Sequence, residues 1–134
     1  WQDKASKGAF TWDRDVGRTA KGSARNAGAR EGCFLQKYDA KPGEHYVARA
    51  FCKIQGKGDI QMRVRWQTTE DKWTATQHDR IVQPDDPGDK WSELFTVVEV
   101  PQGAEKLLII LLTKNQQTDK DIVWFDDVEL YKLD

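Results

Sequence analysis

The segment Tyr46–Lys53, which follows a Pro42-Gly43 turn, constrains the fold more than any other part of the sequence. Successive side chains of a β-strand point to opposite faces, so alternate residues share one environment. One parity here is small and mostly apolar, and the other carries charge. The first comprises Tyr46, Ala48, Ala50 and Cys52, and the second Val47, Arg49, Phe51 and Lys53. The pattern predicts a strand of a two-layer β protein, with one face in the core and the other reaching water or a ligand.

The clearest alternation elsewhere lies in Ile60–Gln67, where apolar residues face one way and polar residues the other. Apolar or aromatic runs between turn signals predict further strands over Phe10–Asp13, Trp91–Val100, Leu107–Lys114 and Ile122–Leu133. We expect residues 14–32 to be irregular and residues 68–90 to form a long loop or a weak hairpin. No segment keeps a helical period of 3.6 residues. The sequence therefore predicts an all-β fold, a two-sheet antiparallel β-sandwich or jelly roll.

Length and charge limit the classes of partner. The 134 residues predict a single domain spanning residues 1–134, long enough to bury one core. The net charge is −1 and charges of both signs are interspersed, which argues against nucleic acid or a membrane surface. The run Leu107–Leu112 is far shorter than the roughly 20 residues of a membrane helix. Because the chain opens at Trp1 without a Met or a signal sequence, we expect a processed protein or an excised module. We also expect a monomer.

Tryptophan is abundant, with six residues, and large aromatic side chains serve cores as well as binding sites. Trp66 and Trp91 are assigned to the core because their strand parities match those of aliphatic neighbours. Trp1, Phe10 and Trp12 favour an ordered, loop-rich N-terminal edge, because a disordered arm would leave their apolar surface in water.

The two cysteines, Cys33 and Cys52, leave two alternatives open. If the chain between them is a hairpin centred on Lys41–Glu44, they fall nearly opposite each other and a disulfide is sterically feasible. If the two segments lie in opposite sheets, both residues are buried thiols. A zinc site is not expected, because nothing nearby has the CxxC spacing.

Motifs for catalysis are missing from the sequence. The two histidines, His45 and His78, lie at a turn and in a long loop, outside any recognisable nucleophile–base arrangement. There is no Walker loop and no dinucleotide-binding fingerprint. The 22 acidic residues make chance pairs of carboxylates unavoidable, so they do not by themselves indicate a glycosidase. We therefore do not expect an enzyme.

The candidate binding residues are those that point away from the core on the predicted strands. We expect Arg49, Arg63, Arg65 and Gln67 to line neighbouring strands of one sheet, with Phe51 among them. Phe51, Trp73 and Trp124 are the aromatic residues that the core pattern explains least. Guanidinium and amide groups donate hydrogen bonds in fixed geometry, and aromatic faces stack on the C–H surface of sugars. The alternative is a solvated face whose charges only keep the protein soluble.

Asp126 and Asp127 interrupt the otherwise apolar strand that ends the chain. A carboxylate on the inward parity is costly unless it is paired or bound to a metal. A structural Ca²⁺ is one explanation, because calcium accepts carboxylate and backbone oxygens. A partner arginine or backbone N–H group is the other, and the residues alone leave both open.

Short sequence elements along the chain resemble a known family. They are Gly22-Ser23, Gln36, Lys41–Tyr46, Trp91, Val100–Ala104 and Phe125–Leu130. Their order and spacing, over residues 1–133, resemble the jelly-roll carbohydrate-binding modules of the family 4, 9, 16 and 22 type, which have a galactose-binding-like fold. The resemblance implies a non-catalytic module that holds a polysaccharide on the concave face of the sheet carrying the strand after Pro42-Gly43.

In a module of this kind, we expect the candidate residues from the outward strand faces to contact the sugar. Phe51, Trp73 and Trp124 would supply stacking, and Arg49, Arg63, Arg65 and Gln67 would supply polar contacts. Asp126 would contribute to a structural Ca²⁺ site. The Asn-Gly-x-Phe-Glu strand whose Glu helps to bind this calcium in the family has no counterpart in this chain. The several arginines favour an acidic sugar, such as a uronate or a sulfated glycan, over neutral xylan or cellulose.

Modules of this kind are normally tethered to a secreted glycoside hydrolase or polysaccharide lyase. The resemblance thus implies an extracellular protein whose partners are a polysaccharide or oligosaccharide and the catalytic domain of a multimodular enzyme. Two other functions stay open. One is a jelly-roll domain for protein interaction or adhesion, and the other is a stand-alone polysaccharide-degrading enzyme.

Overall fold

Two antiparallel sheets pack face to face in the computed structural model, which describes residues 8–133. The strands are β1 Ala9–Asp13, β2 Ser23–Ala27, β3 Glu31–Asp39, β4 His45–Gln55, β5 Asp59–Gln67, β6 Arg80–Val82, β7 Ser92–Glu99, β8 Lys106–Lys114 and β9 Ile122–Leu133. A short 3-10 helix, Thr76–His78, precedes β6. The strand order is β1-β2-β9-β4-β7 in the five-stranded sheet and β3-β8-β5-β6 in the four-stranded sheet. The predicted all-β sandwich is confirmed.

The core between the sheets follows the predicted alternation of β4 and β5. Its members from these strands are Tyr46, Ala48, Ala50, Cys52, Ile54, Ile60, Met62, Val64 and Trp66. Trp66 is 1% exposed, which confirms its assignment to the core. Burial of this apolar surface is the main favourable contribution to folding.

Strand β8 is buried on both of its faces. Leu107, Ile109 and Leu111 point into the main core. Leu108, Ile110 and Leu112 form a second cluster with Cys33 on the outer side of the four-stranded sheet. The continuous apolar run in the sequence thus belongs to a central strand that is covered on both sides.

The chain from β3 to β4 is not a hairpin. β3 pairs with β8, whereas β4 pairs with β7 and β9, so the Pro42-Gly43 turn carries the chain from one sheet to the other. Gly43 has a φ of 85°, a conformation that glycine adopts without strain. Cys33 and Cys52 therefore lie in different sheets, and both are buried thiols that no disulfide joins.

The prediction that residues 14–32 are irregular is wrong for Ser23–Ala27, which form β2 between β1 and β9. Asn26 of β2 is fully buried, and its Nδ2 donates a hydrogen bond to Thr113 Oγ1 at 2.7 Å. A polar residue at a core position removes the alternation by which a strand is recognised in sequence. The loop predicted over residues 68–90 also contains a strand, β6, which pairs with β5.

The N-terminal edge is ordered over β1, as the aromatic residues predict, and Trp1 lies outside the described residues. Phe10 packs edge-on against Phe34, with 5.4 Å between the ring centres. Trp12 is 63% exposed. Within residues 8–133, no helix is long and apolar enough to cross a membrane.

The Cys52 thiol predicts a specific dependence of stability on pH. Burial raises its pKa from 9.0 to about 12. Between about pH 9 and 12 the folded chain keeps a proton that the unfolded chain loses. We therefore expect Cys52 to lower the free energy of unfolding by up to about 1.4 kcal/mol per pH unit above pH 9, and to have no such effect below it.

Denaturant unfolding of the unchanged chain and of Cys52→Ala, followed over this pH range, measures the effect. The difference between the two cancels the tyrosines and lysines that titrate in the same range. Equal pH slopes for the two proteins would contradict the prediction.

Candidate functional site

The residues predicted to share one binding surface lie on two opposite surfaces. Arg49 and Phe51 point outward from β4 in the five-stranded sheet, whereas Arg63 and Arg65 point outward from β5 in the four-stranded sheet. The expectation that they line neighbouring strands of one sheet is therefore wrong. We define the β4 face by Val47, Arg49, Phe51, Lys53, Phe95, Val97, Trp124 and Tyr131, and the β5 face by Leu35, Lys37, Gln61, Arg63, Arg65, Trp73, Ile81, Leu108, Ile110 and Leu112.

Two guanidinium groups cover Phe51 on the β4 face. Cζ of Arg18 lies 3.4 Å from the ring centre, and Cζ of Arg49 lies 4.7 Å from it. Phe51 is only 6% exposed as a result. Carboxylates hold Arg49 in turn, with Nη2 3.0 Å from Glu93 and Nη1 3.8 Å from Glu129. The chain's own cations thus occupy this aromatic surface.

Trp124 is also fixed and covered. Its Nε1 donates a hydrogen bond to Asp13 Oδ2 at 2.9 Å, and Lys53 Nζ lies 5.1 Å from the ring centre. The residue is 7% exposed. The hydrogen bond from Trp124, together with bonds from the backbone N–H groups of Asp15 and Val16, holds the pKa of Asp13 below its ordinary value.

The assignment of Trp91 to the core is wrong. It is half-buried just before β7, with Lys53 Nζ 5.4 Å from its ring centre. The core residues of β7, Leu94 and Val98, have the opposite parity. Phe95 and Val97 share the parity of Trp91 and are 49% and 48% exposed. Because β7 carries apolar residues on both parities, its pattern did not distinguish the inner face from the outer.

An apolar cluster lies beneath the side chains of the β5 face. Leu108, Ile110 and Leu112 point outward from β8, yet they are only 1%, 7% and 6% exposed. The register places Ile110 between Leu35 of β3 and Arg63 of β5. An uncovered sheet face would leave such side chains in water, so side chains of the flanking strands cover them.

Trp73 lies at one end of the β5 face, against Arg65. Cζ of Arg65 is 4.0 Å from the centre of the indole ring, while 46% of Trp73 remains exposed. Nε of Arg65 donates a hydrogen bond to Asp79 Oδ2 at 2.8 Å. The arrangement presents an exposed aromatic ring beside a guanidinium group that is held in place.

Arg63 and Gln67, both predicted to bind, differ in their surroundings. Nε of Arg63 donates a hydrogen bond to Gln61 Oε1 at 2.9 Å, and among the described residues Arg63 has no carboxylate partner. Gln67 is 6% exposed at the end of β5, where it pairs with Trp73 in a single bridge. Its Oε1 accepts no hydrogen bond from the described residues. Arg63 can therefore meet a ligand at the surface, whereas Gln67 is covered.

The core residue Trp66 anchors the loop that carries Trp73. Its Nε1 donates a hydrogen bond to the carbonyl of His78 at 2.9 Å, and its own carbonyl accepts the N–H of Thr74 at 3.1 Å. A buried indole N–H requires an acceptor, so these bonds hold both ends of the segment between residues 74 and 78. The ring of Trp73 consequently projects from a fixed backbone.

Two lysines share one carboxylate in the loop that carries Trp73. Lys37 Nζ and Lys106 Nζ lie 2.8 and 3.1 Å from the same oxygen, Oδ1 of Asp71. The two ammonium groups hold the pKa of Asp71 below its ordinary value. Arg63 adds a cation without a carboxylate partner among the described residues. An anionic group on a ligand would be attracted to this surface.

The carboxylates at the bend of β9 do not fit the expected calcium site. Asp126 accepts the N–H of Arg18 on Oδ2 and the N–H of Asp127 on Oδ1, both at 2.8 Å. Asp127 pairs with Arg18 Nη1 at 3.0 Å and accepts Thr19 Oγ1 at 3.2 Å. Calcium requires six or more oxygen ligands, and these oxygens face donors and a guanidinium group. Within residues 8–133, no group of three or more His, Cys, Asp and Glu side chains could hold a metal.

The two histidines are not placed to activate a nucleophile. His45 Nε2 lies 3.5 Å from Glu99, and His78 Nε2 lies 3.5 Å from Gln77. Both cysteines are buried. Neither of the two contacts joins a histidine to a hydroxyl or thiol group.

Arg18 and Asp79 organise the two faces, and neither was predicted as a site residue. Arg18 bonds to Asp126 across 108 positions of sequence, and Asp79 bonds to Arg65 across 14. Pairs of residues so far apart in the chain produce no periodic pattern from which they could be predicted. The one signal for Asp79 was the length of the loop around it, because long loops in compact domains are commonly functional.

Comparisons with known proteins find likeness in structure only. No family model and no curated protein sequence matches the chain. The enzymatically active domain of bacteriophage CBA120 tailspike protein 4 matches with a TM-score of 0.76 and 16% identity, covering 96% of this chain and 19% of that one. A family 16 carbohydrate-binding module matches with a TM-score of 0.69 and 14% identity, covering 97% of this chain and 92% of that one. A family 22 xylan-binding domain from Paenibacillus barcinonensis matches with a TM-score of 0.71 and 11% identity, covering 99% and 91%.

The chain therefore has the fold of carbohydrate-binding modules, as the resemblance in sequence implied. Modules of families 4 and 61 match as well. Most of these similar structures are binding modules, although the tailspike domain is described as enzymatically active. The chain spans about one fifth of the tailspike chain and nearly all of the isolated modules.

Arg18 is expected to stabilise the fold through its contacts with Phe51 and Asp127. We expect Arg18→Ala to lower the free energy of unfolding by about 1 kcal/mol, because it removes a cation–π contact and a partly exposed ion pair. Arg14→Ala is the matched control, because it removes the same charge from an exposed residue of the same segment. Denaturant unfolding measures both, and equal stabilities would contradict the role of Arg18.

Calcium is expected to leave the stability of the protein unchanged. The oxygens of Asp126 and Asp127 already accept hydrogen bonds, so a metal would have to displace Arg18 and Thr19. Thermal unfolding in excess chelator and in excess Ca²⁺ should give the same melting temperature. A higher melting temperature in Ca²⁺ would contradict the prediction and restore the metal site.

Proposed function

We propose that this protein is a non-catalytic module that binds a polysaccharide chain across the β5 face. The observation that carries the proposal is the exposed ring of Trp73, which lies against Arg65 on the β5 face. Aromatic rings stack on the C–H surface of sugars, and guanidinium groups donate to hydroxyl and carboxylate oxygens in fixed geometry. Trp73 then supplies stacking, and Arg63 and Arg65 supply polar contacts.

The exposure of the aromatic residues favours the β5 face over the β4 face as the binding surface. Phe51 and Trp124 are 6% and 7% exposed, so a sugar could stack on them only after displacing Arg18 or Lys53. Trp73 needs no such rearrangement. The assignments of Arg49, Phe51 and Trp124 to sugar contacts stay predictions from the sequence.

An acidic polysaccharide is the substrate class that we propose. The surplus of positive charge around Asp71 and Arg63 supports it, because a uronate or sulfate group would supply the carboxylate or sulfate partner that Arg63 lacks. Neutral glycans are the alternative. One similar module is described as xylan-binding and another as a complex with β-1,4-galactotriose.

We further propose that the module is secreted and directs an attached glycoside hydrolase or lyase to its polysaccharide. Support comes from the similar structures that are parts of longer chains. One match covers 25% of a Clostridium thermocellum endo-1,4-β-D-xylanase structure that holds a family 22 module and a catalytic module, in complex with xylohexaose.

Binding to another protein or to an adjoining domain is the second candidate function. An exposed apolar patch on the β4 face favours it, since Phe95, Val97 and Tyr131 are 49%, 48% and 52% exposed on β7 and β9, the two strands that flank β4. Apolar side chains clustered on a surface commonly mark an interface. The two functions use opposite faces and do not exclude each other.

Affinity electrophoresis of the unchanged chain against xylan, β-1,4-galactan and polygalacturonate tests the main proposal. We expect retardation by polygalacturonate, and less of it at high salt, because exposed charge pairs are screened. Retardation by no polysaccharide would overturn the proposal. Release of reducing ends would instead indicate an enzyme.

The contributions of Trp73 and Arg65 predict the effects of two variants. Trp73→Ala and Arg65→Ala should each weaken binding by about 1–3 kcal/mol, through lost stacking and lost charge-assisted hydrogen bonds. Phe95→Ala is the matched control, because Phe95 is an aromatic residue of similar exposure on the opposite face. Isothermal titration with the retarding polysaccharide measures all of them. A greater loss for Phe95→Ala than for Trp73→Ala would place the site on the β4 face.

A further inference from the structure

We infer that Asp79 is a positioning residue, which acts through Arg65 to set the orientation of the Trp73 ring on the β5 face. The inference rests on the proposed function, since it concerns the same surface. Three contacting side chains carry it: the carboxylate of Asp79 holds the guanidinium of Arg65, and that guanidinium lies against the ring of Trp73.

The bond between Asp79 and Arg65 is short and largely shielded from water. Arg65 Nε lies 2.8 Å from Asp79 Oδ2, and the two side chains are 22% and 12% exposed. Charge-assisted hydrogen bonds of this kind are stronger than neutral ones. Because the guanidinium group is planar and rigid, a bond at Nε restricts the plane of the whole group.

The backbone at Asp79 is held by hydrogen bonds that lead to the core. The N–H of Asp79 donates to the carbonyl of Thr76 at 3.0 Å, which closes the 3-10 helix. The preceding residue, His78, accepts the hydrogen bond from the buried Trp66 indole. The backbone that carries the Asp79 carboxylate is thus held in place, whereas an arginine side chain without a partner would sample many rotamers.

The orientation of the Trp73 ring depends on its contact with Arg65 more than on the hydrogen bonds of the backbone around it. The bridge to Gln67 and the hydrogen bond of Thr74 fix the chain around it. Neither contact restricts the side-chain torsions, and almost half of the residue is exposed. The guanidinium of Arg65 is the cation that contacts the ring. Loss of Asp79 should therefore affect ligand binding more than folding.

Asp79→Asn tests the inference, because it keeps the size of the side chain and removes its charge. We expect affinity for polygalacturonate to fall about tenfold, with little change in melting temperature. In ¹⁵N–¹H spectra recorded without ligand, the Nε–H signal of Arg65 and the indole Nε1–H signal of Trp73 should both shift. Asp79→Glu keeps the charge on a longer side chain, so its affinity should lie between those of the unchanged chain and Asp79→Asn.

Glu93→Gln is the matched control. It removes a carboxylate 3.0 Å from Arg49, whose guanidinium lies against the ring of Phe51 on the opposite face. We expect this variant to bind polygalacturonate with unchanged affinity and to leave the signals of Arg65 and Trp73 in place.

The outcomes separate the inference from the proposed function. If the unchanged chain binds and Asp79→Asn binds equally well, or the signals of Arg65 and Trp73 do not move, the inference is overturned and the proposed function stands. If the unchanged chain binds none of the three polysaccharides, the proposed function fails, and the role of Asp79 in glycan binding fails with it. Should Asp79→Asn not fold, Asp79→Glu decides, because an affinity equal to that of the unchanged chain overturns the inference.

Discussion

The two-sided burial of β8 is the constraint on which the rest of the structure depends. Leu107, Ile109 and Leu111 require cover on the inner side, and the five-stranded sheet supplies it. The outward residues of β8 are equally apolar, but no third layer covers them within residues 8–133. Cover comes instead from the flanking strands, where the stems of Arg63 and Lys37 can bury apolar surface while their charged ends stay in water. The same packing requirement that makes β8 a central strand thus brings basic side chains onto the outer surface of the four-stranded sheet.

The indole N–H of Trp66 couples this sandwich to its longest loop. An apolar residue at that position would fill the core equally well, but it would have no donor for the carbonyl of His78. Because the buried donor must be satisfied, the loop returns to the sheet and brings Asp79 beside Arg65. Core packing and surface geometry are therefore linked by one residue, and a loop that would otherwise be free in water presents Trp73 from a defined position.

The sequence predicted which residues within β4 and β5 face inward, because period-2 alternation reports burial directly. It could not assign the two strands to the same sheet or to different ones, since the pattern is identical in both cases. That is why Arg49 and Arg63 were placed on one surface and lie on two. β2 was missed because Asn26 occupies a core position, and Trp91 was misplaced because β7 is apolar on both parities. Local patterns define a strand's two faces, whereas pairing depends on contacts between distant residues.

Sequence patterns also cannot predict which aromatic residues are accessible, because accessibility depends on the cations that contact each ring. Phe51 and Trp73 both lie against guanidinium groups, yet they are 6% and 46% exposed. At Phe51 two arginines contact the ring. One of them, Arg18, lies in a loop that is bonded to Asp126 and Asp127. At Trp73 the guanidinium group comes from the neighbouring strand, and Asp79 holds it by Nε. A guanidinium group held in this way contacts the ring and still leaves almost half of Trp73 exposed. The placement of carboxylates around each arginine, more than the number of aromatic or basic residues, therefore decides which face is left open to a ligand.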